Sequence, residues 1–539
     1  MTSDTASSGA PSRGAAPSQP GAPAPSRATA RFALLLLAIV FVLRIPYAGY
    51  VWADEGLWFT VADELLRGKA LYTEIWFDKP PAVAWVYAAL FAAAGPSVLA
   101  VRLFTILYAA GVAVALWHLG RRFWGEREGR LAALLYAVYN ATYIHSQVQP
   151  LAVDHLVLLP YLYAGYFFLT GRGLWSGLLA AAAFSLNPKA GVLFFFFALA
   201  EVFRSRLGAR PDSWRGGLWA GPRGRRWLLL AAGFALGVSP WIAYLAAGGK
   251  LWMYGRDFWL WGFQYVTVYS PLEALLTGAR RTLNYAGFHL PLFLGLAMLL
   301  SWAPRGREGT ERAWSHALLL WLAVSYLGVA AGGRFFPRYF YQVLPLLCLL
   351  GARGYVLAAG ADAGRGPRVS RILRALFWAG LVFAVVRFHH RGAVLAYEAV
   401  TGKQTAFMAN WTDPAIDRGS RLIAERVRGS LFVWGYRPEI YFYCRCEPVS
   451  MYLSSQPLTG VPADIHLREA RSVAPAEAAA NRARLVTELK QHLPESIVDG
   501  LGPYNPALAM ERYPELAALL REDYERAETV GMGIIYRRR

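Results

Sequence analysis

The sequence predicts a multi-pass α-helical membrane protein that ends in a soluble α/β domain. Repeated apolar runs of ~17–22 residues have the length of membrane spans rather than of core helices. Of 539 residues, 56% are hydrophobic and 14% aromatic, and mean hydropathy is +0.30, which excludes an ordinary soluble globular chain. The basic residues behind the formal charge of +20 fall in short clusters between apolar runs, whereas the stretch from Arg391 onward is nearly charge-balanced.

The elements follow in order. Residues 1–31 are Ala, Pro, Ser and Gly with three arginines, a composition expected of a disordered cytosolic tail. The first span, 32–50, ends in bulky Tyr47 and Tyr50 rather than a small-x-small site, so it is expected to stay as an uncleaved signal anchor. Ten more runs give about eleven spans: 98–118, 130–146, 152–170, 172–187, 188–204, 226–246, 285–302, 314–331, 338–358 and 372–390. With the N-terminus inside, the arginine-rich loops (Arg121-Arg122, then Arg204 to Arg226, Arg305 to Arg312 and Arg365 to Arg374) all face the cytosol, as the positive-inside rule requires. Basic clusters split between helices form no groove-matching stripe, so no nucleic-acid partner is expected. Segment 80–95 is apolar but short, and a crossing there would turn every later basic loop outward. It is therefore assigned as an outer juxtamembrane or re-entrant helix. Segments 57–67 and 252–263 read as interfacial helices.

Residues 391–539 are expected to fold outside the membrane. Short apolar runs (Leu431-Phe432-Val433-Trp434, Ser496-Ile497-Val498, Met532 to Tyr536) alternate with helical patterns that each open on a proline, Pro475 to His492 and Pro514 to Tyr524. Proline suits a first helical position, and the alternation is that of a small α/β domain. Cys444 and Cys446 stand one residue apart, too close for easy bridging unless the backbone distorts.

The chemistry is expected at the outer face. Asp54-Glu55 follows the first span, and Phe77-Asp78-Lys79-Pro80-Pro81 closes the same loop. Parity brings Asp54, Glu55, Asp78, Lys79, Arg102, His145, Asp154, His155, Lys189, Arg334 and Arg338 to the outer ends of spans or to outer loops. Ionisable groups of both signs are expensive at a membrane lip, and their convergence on one face marks a candidate active site. For any one of them, an interfacial ion pair that staples helix ends is the competing reading.

The run Asp54-Glu55-Gly56, Ala62-x-x-Leu65-Leu66-x-Gly68-x-x-Leu71-Tyr72, Asp78-Lys79-Pro80-Pro81, Gly95 and Ala100-Val101-Arg102-Leu103 resembles the first outer loop of the GT-C membrane glycosyltransferases. That group includes the protein O-mannosyltransferases and the lipid A aminoarabinose transferases. Asp154, Asn187-Pro188-Lys189 and Arg338-Tyr339-x-x-x-x-x-Pro345 resemble later features of it, so the likeness covers residues 32–390. The resemblance implies a GT-C fold in a cell (inner) membrane. It also implies a polyprenyl-phosphate-linked sugar donor and a lipid, glycan or protein acceptor at the outer face. Lys79, Arg102, Lys189, Arg338 and Tyr339 are then the donor-phosphate residues, because such a phosphate needs fixed positive charge at headgroup depth. Arg102 has pairing with Asp78 as its alternative. Asp54 is the candidate base toward the acceptor, with Asp154 second. No covalent nucleophile is evident, so a single inversion at the anomeric carbon is expected.

Glu55 stays open between a catalytic or acceptor-binding role, a metal ligand and a cap on the helix that follows it. A divalent metal ion is a candidate cofactor, with Asp78 and Glu55 as its candidate ligands. The histidines lack metal-ligand spacing and read as structural. A transporter or flippase of lipid-linked sugars is the alternative function. Its midplane charges and inverted repeats are not apparent.

Overall fold

Residues 27–203, 223–266, 269–302, 310–361, 367–403, 405, 412–462 and 465–539 are described in the computed structural model. The basic stretches 204–222, 303–309 and 362–366, and most of the expected tail, lie outside them. The first helix opens at Arg27 and runs to Arg44, several residues earlier than the expected boundary of the tail.

Each of the eleven apolar runs falls on helix, but their lengths differ from expectation. Among the described residues, five helices are long and apolar enough to cross a membrane: Arg27–Tyr47, Val98–Phe123, Gly224–Ala247, Glu311–Ala330 and Arg371–Thr401. A sixth span arises if Pro271–Phe288 and Leu290–Ser301, bent by 93°, are taken as one. Pro81–Ala94, Val153–Leu169, Gly173–Leu186 and Leu344–Gly360 are apolar but shorter. Local breakers account for the shortening. Asn187 caps a 3-10 turn at Pro188–Gly191 that separates Gly173–Leu186 from Val192–Val202, because proline cannot continue the helix before it. His289 ends Pro271–Phe288 and Pro291 follows at once.

The helices meet through glycine. Gly173 and Gly177 lie against the backbone of Arg223–Ala247, and Gly233 of that helix lies against Leu174 and Leu178. Gly295 of Leu290–Trp302 meets Gly351 and Gly354 of Leu344–Ala361 backbone to backbone. Small residues at these crossings allow the close approach on which helix association in an apolar solvent depends.

Beyond the last long helix, which continues through the expected boundary at 391 to Thr401, the chain builds a five-stranded sheet. Its strands are β1 Ser430–Trp434, β2 Glu447–Pro448, β3 Ser496–Asp499, β4 Tyr524–Val530 and β5 Gly533–Arg538, in the order β2-β1-β3-β5-β4. β1 is parallel to β2 and β3, whereas β5 is antiparallel to β3 and β4. Cys444 and Cys446 form a disulfide with Cα atoms 5.1 Å apart, inside the usual range. Arg445 between them has φ +58°, the backbone distortion that the sequence reading held to be necessary.

The first-loop helix Ala53–Leu66 lacks the one-sided burial expected of an interfacial helix. Trp58, Phe59, Val61 and Ala62 are buried, and they share one apolar cluster with Tyr87, Phe91 and, from the sheet region, Ile440, Tyr441 and Phe442. Phe59 and Phe442 lie 4.9 Å apart, centroid to centroid. Burial of the consecutive positions Trp58 to Ala62 leaves none of the one-sided pattern that an interfacial helix would keep.

Candidate active site

Four helix starts and short turns bring the polar residues together. Asp54 sits in the first turn of Ala53–Leu66, Asp154 in the short helix Val153–Leu156, and Arg338 in the 3-10 turn Pro337–Gln342. Lys189 is in the Pro188–Gly191 turn. Element ends leave side chains free to converge where regular helix would send them around the axis.

They converge on a cavity of about 480 Å³. Arg338 Nη1 lies 2.5 Å from Asp54 Oδ2, and its Nε lies 3.6 Å from Asp154 Oδ2. One guanidinium thus spans both carboxylates. Asn187 Nδ2 donates to Asp154 Oδ1 at 2.9 Å, while Asn187 Oδ1 accepts from the Lys189 amide at 3.1 Å. Lys79 pairs with Asp78 at 2.6 Å. The Lys189 ammonium lies over the Tyr339 ring and has no hydrogen-bond partner among the described residues. Burial alone would push the Asp54 carboxyl up, but the Arg338 and Lys79 charges outweigh it and hold that carboxyl below the usual range.

The remaining walls are apolar and aromatic, with Trp58, Trp76, Phe258, Trp259 and Trp261 among them. The sheet region closes the cavity with Tyr436, Pro438, Ser454 and Gln456. Segment 251–266 is helical with a π-helical middle, Gly255–Leu260. Trp252 points outward at 79% exposure, while Phe258 and Trp261 turn inward and Trp259 stands exposed at the cavity's edge. Sequence reasoning read 252–263 as an interfacial helix rather than as a wall of the cavity, and it had no signal for Ser454 or Gln456.

Two expected site residues are elsewhere. Glu55 is fully buried and does not line the cavity. Arg102 contacts neither the cavity nor Asp78 but forks onto Glu55, Nη1 to Oε1 at 2.7 Å and Nη2 to Oε2 at 2.5 Å. The reason is desolvation: two opposite charges buried together must pair. This pairing removes Glu55 as a partner for Asp78. No group of three or more His, Cys, Asp or Glu side chains fit to hold a metal ion occurs among the described residues. His145 stacks on Tyr47 and His155 on Tyr341, and neither lines the cavity.

The crystal structure of ArnT from Cupriavidus metallidurans bound to undecaprenyl phosphate superimposes with a TM-score of 0.56 at 14% identity, over 94% of this chain and 97% of that one. Its apo form gives a TM-score of 0.54 at 14% identity, over 94% and 98%. The fold is that of the GT-C glycosyltransferases. The family model described as dolichyl-phosphate-mannose-protein mannosyltransferase matches residues 78–215, so the GT-C likeness in sequence falls on the part of the chain that holds Asp78, Lys79, Asp154 and Lys189. No curated protein matches the chain in sequence.

Proposed function

We propose that this chain is an integral-membrane glycosyltransferase that moves a sugar from a polyprenyl-phosphate carrier to a lipid, glycan or protein acceptor, with inversion. The observation that carries the reading is the cavity in which Asp54 and Asp154 face Lys79, Lys189 and Arg338 across aromatic walls, on a GT-C fold.

The chemistry follows from these groups. Lys189, Arg338 and Lys79 receive the donor phosphate and stabilise the charge that grows on it as the glycosidic bond breaks. Tyr339 carries the Lys189 ammonium toward that position. The tryptophan faces provide flat apolar surface for the sugar ring, a common arrangement of aromatic walls with few polar groups. Asp54 orients the acceptor and takes its proton as the acceptor attacks the anomeric carbon opposite the phosphate. Asp154, held by Asn187, supports the acceptor and balances the cations. An arriving phosphate competes with both carboxylates for Arg338, so donor binding itself releases Asp54 for the acceptor. The site and the sheet domain are read as extracytoplasmic, and the N-terminus as cytosolic.

Asp54→Asn in purified protein tests the reading. Transfer should fall by about 10²–10⁴-fold, the usual share of a general base, with donor binding and membrane insertion retained. Undiminished transfer would sink the assignment of the base. Mass spectrometry of lipids, polysaccharide and envelope proteins from a deletion strain identifies which acceptor loses its sugar.

A further inference from the structure

Glu55 lies outside the cavity yet is tied to both segments that supply its carboxylates. It follows Asp54 directly in the first turn of Ala53–Leu66. Its Oε1 also accepts from the Leu151 amide at 3.0 Å, three residues before Asp154. The Tyr87 hydroxyl sits between Glu55 Oε1 at 3.2 Å and the Leu151 carbonyl at 2.8 Å. Arg102, beyond its fork onto Glu55, donates from Nη2 to the Tyr50 carbonyl at 2.6 Å. That contact anchors the chain where it enters the helix. Four separate segments, around Tyr50–Glu55, Tyr87, Arg102 and Leu151, therefore meet at one carboxylate.

We propose that the Glu55–Arg102–Tyr87 cluster is a positioning unit that sets the separation of Asp54 and Asp154, and with it the seat of Arg338 between them. The inference rests on the reading of those two carboxylates as the transferase groups. A buried ion pair contributes little net stability over apolar residues of similar volume, because desolvation offsets its attraction. What apolar residues cannot supply is direction. The cluster's hydrogen bonds fix the Leu151 backbone relative to Glu55, and hence Asp154 relative to Asp54. Arg338 reaches Asp54 at 2.5 Å and Asp154 at 3.6 Å, so a small change in that separation costs it one partner.

The test compares Tyr87→Phe with the double variant Glu55→Leu, Arg102→Met, neither of which touches the cavity. Four quantities are read in purified protein: thermal midpoint, donor KM, kcat and the acid limb of kcat/KM. The double variant should lose some thermal stability, because the Leu151 amide and the Tyr50 carbonyl are left without their side-chain partners, and keep a near-normal donor KM. Its kcat should fall about a hundredfold, the scale of a misplacement near 1 Å. Its acid limb should move to higher pH, because Asp54 is faced by Arg338 and Lys79 and loses part of that positive field. Tyr87→Phe, which changes no charge and little volume, should lower kcat about fivefold, with only a modest drop in thermal midpoint from the lost hydrogen bond to the Leu151 carbonyl.

Unchanged kcat and an unmoved acid limb in folded variants would overturn the proposal and leave a simple staple. So would a rise in KM alone, which would put the cluster on the donor. If the double variant does not fold, Tyr87→Phe decides by the same criteria. Failure of the underlying reading looks different: Asp54→Asn would then be fully active, whatever the cluster variants do.

Discussion

At the residue scale, charge balance in the cavity turns on Arg338 and Lys189. Asp54 has burial against it and two cations for it, and the cations win. A carboxyl held below its usual range is already deprotonated at mildly acid pH. The acid limb of kcat/KM for the wild type should therefore lie below the ordinary aspartate range. Arg338→Met should move it upward, by the sign of the charge removed; a pH–rate profile of both proteins checks this. Lys189 makes the opposite bargain between stability and function. A buried ammonium without a hydrogen-bond partner is costly to the free protein and useful to an incoming phosphate. Lys189→Met should raise the thermal midpoint and weaken donor binding by about 1.5–3 kcal/mol, the range for hydrogen bonds to charged groups. Thermal scans and donor titration measure the two halves separately. At Gly56, an added Cβ would lie 2.7 Å from Glu439 Oε2. Gly56→Ala should destabilise the fold by about 1–3 kcal/mol, as overpacking does, read as a lowered thermal midpoint.

At the scale of elements, the helix pairs show how short apolar helices are held against one another. Leu290–Trp302 and Leu344–Ala361 are short, yet Gly295, Gly351 and Gly354 pack them backbone against backbone. Gly354→Val should separate that pair and cost several kcal/mol of stability, more than ordinary overpacking, since the clash is with main chain. Circular dichroism during heating in detergent reports it. The apolar runs Leu431–Trp434 and Ser496–Val498 were legible as strands because their pattern is local, and β1 and β3 lie there. The helices Pro475–His492 and Pro514–Asp523 begin on the prolines that announced them. The Ala53–Leu66 helix was misread for the converse reason. Part of its burial comes from Phe442 and its neighbours, almost 400 positions along the chain.

At the scale of the whole molecule, the sheet region and the helical region form one site. Thr60 Oγ1 donates to the Pro438 carbonyl at 2.7 Å, and Asp417 Oδ1 accepts from the Val51 amide at 3.1 Å. Arg421 Nη2 reaches the Gly49 carbonyl at 2.7 Å, and the Trp76 amide donates to the Met451 carbonyl at 2.9 Å. These contacts clamp both ends of the loop that carries Asp54, and the same region supplies a wall of the cavity. A chain ending at residue 403 should therefore lose transfer entirely and aggregate through the uncovered face of Ala53–Leu66. Size-exclusion chromatography and a transfer assay test the two consequences.

The sequence by itself determined that the chain is helical and membrane-embedded, and which of its charged residues were too costly to be ornamental. Those properties depend on run length, local composition and the sign of nearby charge. Asp54, Asp78, Lys79, Asp154, Lys189, Arg338 and Tyr339 all reach one cavity. Only the tertiary structure decided their partners: Arg338 for Asp54 and Asp154, Arg102 for Glu55, and the sheet region for the first loop. Ion pairs and apolar contacts between distant residues are chosen by which surfaces must leave solvent together, and no local pattern encodes that choice.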